Sequence, residues 1–197
     1  MADSFFTIAG PGEGMLREKM SRFIAFARNV YDPEEAKAIV KDFQNRYHDA
    51  RHVCWAYMIG PERAVWQLND NGEPSGTAGK PILGQINSFN LTDVIVIVVR
   101  YFGGIKLGTP GLISAYREAA RLALEDAGKI ELHQSETILI HFPYVAANEV
   151  MKVMKSEKID VIERSFDNTC SMKISFRLDD AERIKSRLSS VSGVSFS

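Results

Sequence analysis

Apolar positions along the chain recur with two periods, and the switches between them mark the elements. Ser4 to Ala9 reads as a strand, and Gly10 to Gly14 as a loop that breaks it. Ser21 to Ala27 resumes strand character. Asp32-Pro33 starts a helix, with aspartate as cap and proline at the first helical position. Ala36, Ile39, Val40 and Phe43 form its apolar stripe, which predicts an end near Tyr47. A strand begins near His52, Gly60-Pro61 turns the chain, and Val65 to Leu68 forms a short strand. A helix through Ile82, Leu83, Ile86 and Phe89 follows. Val94 to Val99 is wholly aliphatic, as expected of a strand buried on both faces. Thr109-Pro110 predicts a long helix capped by Thr109, with Ile113, Tyr116, Ala120 and Leu124 along one stripe and Gly128 at its end.

Beyond Gly128 the order reads strand (136–141), helix (145–156), strand (159–166), strand (171–177), helix (179–189), strand (191–196). Strand-helix-strand-strand-helix-strand is the ferredoxin-like order. The reading is therefore an α+β chain of two domains, residues 1–132 and 133–197.

Composition narrows the classes. The chain has 197 residues, 45% of them hydrophobic, enough for an ordinary core. Its formal net charge is -1, so a nucleic-acid role requires a local basic patch rather than a whole-chain field. The two cysteines, Cys54 and Cys170, lie in strand-like runs and read as buried reduced thiols. No leader pattern is visible, and the Val94–Val99 run is too short to span a bilayer. The expectation is a cytoplasmic protein with no membrane role.

Two glycine-rich stretches carry the candidate chemistry: Gly72-Glu73-Pro74-Ser75-Gly76-Thr77-Ala78-Gly79-Lys80 and Arg100-Tyr101-Phe102-Gly103-Gly104-Ile105-Lys106-Leu107-Gly108-Thr109. Each leads into a helix, whose first N–H groups and positive dipole end favour an anion. Ser75, Thr77 and Lys80 in the first stretch, and Arg100, Gly103, Gly104, Lys106 and Thr109 in the second, are candidate phosphate contacts. Tyr101 is a candidate stacking partner for a base. Glu73, His48 and His52 complete the set. Plain alternatives exist for both stretches: a tight turn before a capped helix, or an aromatic pair in the core flanked by solvated cations. Neither a Walker A loop nor GxGxxG is present, and no cofactor motif is found. No GxSxG nucleophile motif occurs. The His48–His52 spacing would suit a metal only on a helix face, whereas His52 opens a strand, so no metal is expected.

Four blocks taken together resemble the YigZ/IMPACT family: Arg22-Phe23-Ile24, Ala50 to Tyr57, Gly72 to Gly79, and Val99 to Gly108. The resemblance implies an N-terminal domain related to the second domain of a small-subunit ribosomal protein. It implies a C-terminal domain like the last domain of elongation factor G. Both relatives act on RNA in translation. Eukaryotic members are linked to translational control through a partner that activates a stress kinase, a link not transferred to this two-domain chain. Met58 stands where the family often has arginine. The expectation is a non-catalytic protein that binds RNA or the ribosome and is linked to regulation of translation. The alternative is an enzyme acting on a small phosphorylated or nucleotide substrate, with Glu73 or His52 as acid/base.

Overall fold

The structure, a computed structural model, describes residues 4–166 and 169–197. The chain folds as two compact units, Phe5–Leu132 and His133–Ser197, the latter taking in Ser4.

The first unit is built on β6 (Val94–Tyr101), the aliphatic run. In chain order its elements are β1 (Ser4–Ile8), β2 (Gly12–Glu18), β3 (Ser21–Asn29), α1 (Pro33–Arg46), β4 (His52–Ile59), β5 (Val65–Asn69), α2 (Gly79–Ser88), β6, α3 (Gly108–Ala127) and β7 (Lys129–His133), of which the end residues Ser4 and His133 group with the second unit. A five-stranded antiparallel sheet runs β2-β3-β6-β4-β5, and β1 pairs with β7. Side chains alternate across a strand, so β6 feeds two cores. Val94, Val96 and Val98 pack with Ile82 and Ile86 of α2 and Leu112, Tyr116 and Ala120 of α3. Ile95, Ile97 and Val99 face Ala36, Val40 and Phe43 of α1. Asp32 caps α1, its Oδ1 accepting from the Glu34 and Glu35 amides at 2.9 and 2.8 Å.

The glycines expected to make a loop at 10–14 instead lie largely inside β2. The physical reason is close packing by α3. A Cβ at Gly12 would come within 2.2 Å of the Ala123 carbonyl oxygen, and one at Gly14 within 2.7 Å of the Ala123 amide nitrogen. Glycine in a strand here marks a helix backbone lying directly on it rather than a break in the strand. Valine at Gly12 is expected to destabilise this unit by about 3 kcal/mol, because the obstruction is backbone and cannot rotate away. Both tryptophans, Trp55 and Trp66, lie in this unit, so urea titration of tryptophan fluorescence reads it directly. A variant as stable as the parent would contradict the packing account.

Two further differences bear on the site. The chain enters α3 through Gly108 at φ 72°, so Thr109 lies within the first turn and no side chain caps the helix at Leu107. β7 was not expected from the pattern. It is five residues long and exposed along most of its length, and its alternating Ile130 and Leu132 stay partly open to solvent instead of marking a core face.

The second unit has β8 (Ser135–Phe142), α4 (Ala147–Glu157), β9 (Asp160–Phe166), β10 (Cys170–Arg177), α5 (Ala181–Ser189) and β11 (Ser195–Phe196). The sheet order is β11-β8-β10-β9, with antiparallel neighbours. Ile140, Phe142, Met172, Ile174, Val150 and Leu188 are central to its separate core. Short 3-10 turns, Tyr144–Ala146 and Leu178–Asp180, precede α4 and α5, so both helices begin later than the sequence suggests. The last strand is two residues long rather than six.

Candidate functional site: a cationic cleft at the end of the central strand

Antiparallel register places Phe23 and His52 opposite Arg100, one on each side of β6. All three side chains share the sheet face covered by α2 and α3, and Arg100 enters where another valine would continue the row. The guanidinium is buried, and Nη1 donates to Glu73 Oε1 at 2.7 Å. The Tyr116 hydroxyl of α3 donates to the same oxygen at 2.7 Å. Glu73 is therefore tied at one oxygen by two donors from different elements. Its other oxygen faces His52 Nε2 at 3.9 Å. His52 Nδ1 lies 2.8 Å from the Asn71 carbonyl, which only accepts, so Nδ1 carries the hydrogen. Arg100 Nε is buried and takes no hydrogen bond. The guanidinium also stacks near Phe23 and Phe102, at 5.5 and 5.6 Å from the ring centroids.

Beneath this pair lies Cys54, whose Sγ is 3.0 Å from the Asp70 carbonyl and 3.4 Å from Tyr116 Oη. Burial is the main cause that pushes its thiol up to about 12; contact with Tyr116 opposes the shift, and Glu73 and Asp70 add to it. The thiol is protonated at neutral pH and serves as a packing group with a weak donor. Burial likewise pushes the Tyr116 hydroxyl well above its usual value, helped by Cys54 and Glu73, so it stays a donor.

The outer wall of this network is a cleft of about 450 Å3, lined by Arg51, His52, Glu73, Arg100, Phe102, Lys106 and the start of α3 at Gly108 and Thr109. Arg51 and Lys106 are exposed. Among the described residues Glu73 is the only carboxylate on the wall, and Arg100 neutralises it. The free charge facing the cleft is therefore positive. The uncapped end of α3 adds amide N–H groups and a positive dipole end.

The first glycine-rich stretch works differently from its sequence expectation. Its amides are already satisfied by a carboxylate within the chain. Asp70 Oδ1 accepts from Ala78 and Gly79 at 3.0 and 2.8 Å, and Oδ2 accepts from Gly76 at 2.8 Å. Burial pushes the Asp70 carboxyl up, but these three amides and Lys80 outweigh it and hold it below the usual carboxylate range. The anion of this loop is its own side chain.

Of the residues singled out from sequence, the cleft gathers His52, Glu73, Arg100, Lys106 and Thr109. It does not gather the others. Thr77 is buried and donates to the Pro74 carbonyl at 2.6 Å, while Ser75 points to solvent. Lys80 lies along a separate depression with Gln85 and Arg117. His48 is exposed after the end of α1, with Nδ1 3.2 Å from the Asn45 carbonyl. Tyr101 faces the α1 side of the sheet, because one step along a strand reverses the face. Its hydroxyl donates to Asp49 at 2.9 Å, and Arg22 covers its ring at 4.7 Å. Gly103 is a packing position: a Cβ there would lie 2.1 Å from the Met20 carbonyl carbon and oxygen. Gly104 supplies a turn at φ 89°. Arg51, Phe102, Asp70 and Tyr116 are functional positions that the sequence pattern does not single out. Only the alternation already visible in β6 pointed to Phe102, which shares a face with Arg100.

An α+β chain with a basic cleft at the end of its central strand is the class that fold and site define. The Impact N-terminal domain family matches residues 19–124, more than half of the chain, and so includes the whole cleft. The chain belongs to the YigZ/IMPACT family. It is 40% identical over 131 residues to IMPACT family member YvyE of Bacillus subtilis, a match covering 66% of this chain and 60% of that relative. It is 36% identical over 143 residues to the IMPACT family member in pol 5'region of Thermus thermophilus, covering 73% and 76%. A crystal structure of a hypothetical protein, 26% identical, superposes with a TM-score of 0.73 over 100% of this chain and 97% of the other. The matched stretch thus spans 60% of the length of the Bacillus relative. Among the described residues, no helix is long and apolar enough to cross a membrane.

Proposed function

We propose that the cleft binds the phosphate backbone of RNA, free or in the ribosome, and that the protein acts in the cytoplasm in the regulation of translation. The observation that carries this reading is the convergence of Arg51, Lys106 and the open start of α3 over a neutralised Glu73–Arg100 pair. Phosphate oxygens are the ligands that such donors favour. Family membership supports the link to translation. So does the strand and helix order of the two units. These are taken as domains 1–132 and 133–197, the first like the second domain of a small-subunit ribosomal protein, the second ferredoxin-like and similar to the last domain of elongation factor G. Glu73 serves in this reading as a positioning group, since two donors already hold one of its oxygens.

Fluorescence anisotropy with ribosomal RNA at increasing salt tests it. Affinity falls with salt, because each phosphate contact releases counterions. Lys106→Ala weakens binding to different RNA sequences alike and reduces the slope of log affinity against log salt by about 1. No binding at low salt, or a slope unchanged by the substitution, rejects the cleft as the site.

A further inference from the structure

Resting on that reading, we propose that the bound RNA is single-stranded. It leaves the cleft across Phe102 and stacks a base on a platform made by Phe102 and Met20, beside Arg17, Lys19 and Arg22.

The turn joining β2 to β3 has two residues, Lys19 and Met20, between the paired Glu18 and Ser21. Both are left-handed, at φ 42° and 70°. A hairpin turn with two positive φ values favours Asn-Gly, and each other residue there is strained. The chain nevertheless holds a cation and a long apolar side chain at this tip, and Met20 is 78% exposed. The tip is also clamped. It lies against Gly103 with no room for a Cβ, and the Gly103 amide donates to Ser21 Oγ at 3.3 Å. The backbone of Met20 is therefore held beside Phe102, the neighbour of Gly103, while its side chain projects outward.

Between them is a depression of about 470 Å3, lined by Arg17, Lys19, Met20, Arg22, Tyr101 and Phe102. Half of these residues are cations and none is acidic, so the surface complements a polyanion. Phe102 also lines the cleft, so the two hollows share a wall. Phe102 is 42% exposed, with the Arg100 guanidinium near its ring at 5.6 Å, whereas the Tyr101 ring is covered more closely by Arg22 at 4.7 Å. The open aromatic surface of this loop is therefore Phe102. An exposed ring among cations presents a stacking face and phosphate contacts together, the pattern that takes single strands. A duplex keeps its base faces inside and gains only the charge.

The test uses the whole chain, a fluorescein-labelled oligouridine, and an adenine–uracil RNA duplex of equal length. The single strand binds about tenfold more tightly than the duplex. Phe102→Ala abolishes most of that preference, and Phe102→Tyr retains it. Replacing the turn by Lys19→Asn with Met20→Gly raises Tm by about 4 °C, as strain is relieved, yet weakens single-strand binding. Equal binding of strand and duplex, or a preference that survives Phe102→Ala, overturns the platform while leaving a salt-dependent cleft intact. Absence of binding to either RNA at low salt rejects the platform and the cleft together.

Discussion

Arg100→Ala lowers the stability of the first unit by about 3–5 kcal/mol, the largest loss expected from any single truncation at the cleft. The pair it breaks is buried on both sides, with Arg100 5% and Glu73 8% exposed. Removing the cation leaves a carboxylate in a desolvated setting, with Tyr116 as its one remaining hydrogen-bond donor. The cost arises mainly from that stranded charge and only partly from the lost contact. A triple change separates the two. Arg100→Met, Glu73→Leu and Tyr116→Phe remove both charges and the hydroxyl that would otherwise lose its acceptor. This variant recovers more than half of the loss, since an apolar replacement of a buried pair is near neutral. Tryptophan fluorescence in urea reads all the variants. A loss below about 1 kcal/mol for Arg100→Ala, within the range of surface pairs, would show that water reaches Glu73 freely. The role of the pair as a rigid floor for the cleft would then fall.

Asp70→Ala is expected to cost about 2 kcal/mol and to change what the first loop binds. Three amides lose their acceptor, two of them at the start of α2. Water replaces part of what is lost, because Asp70 is only half-buried, which keeps the cost below that of a buried network. The emptied amide ring then offers a seat to an added anion. Inorganic phosphate therefore raises the Tm of Asp70→Ala more than that of the parent. An equal response in both proteins would contradict the view that Asp70 occupies an anion seat. The pH dependence has a defined sign. Asp70 titrates below its unfolded value, so its contribution is full above the ordinary carboxylate range of about 4. It fades as pH falls through the lower folded value. The stability gap between the parent and Asp70→Asn closes toward acid and is constant through neutral pH.

How much of this was legible beforehand depends on how far apart the interacting residues lie. The α1 start at Asp32-Pro33 was readable because cap, proline and first turn are adjacent in sequence. The two-faced burial of β6 was readable because an unbroken aliphatic run has no polar side to expose. Gly12 and Gly14 misled, since glycine for a turn and glycine for a closely lying helix look alike until the helix is in place. Thr109 misled as a cap because the helix already begins at Gly108, two residues before Pro110. Tyr101 and Phe102 are neighbours in sequence and read as a pair, yet strand alternation sends Tyr101 toward α1 and Phe102 to the side of Arg100 and the cleft.

The sequence by itself determined most of the helices and the central strands, the family and the presence of two glycine-rich turns, because period, capping and turn chemistry act over a few residues. Tertiary structure alone decided which carboxylate meets which donor. Glu73 joins Arg100 across 27 positions and Tyr116 across 43, and both contacts exist only once β6 and α3 close over the loop. The same closure filled one amide ring with Asp70 and left the start of α3 open. Local pattern marked both turns as anion seats; packing assigned the first to the protein itself and opened the second toward solvent.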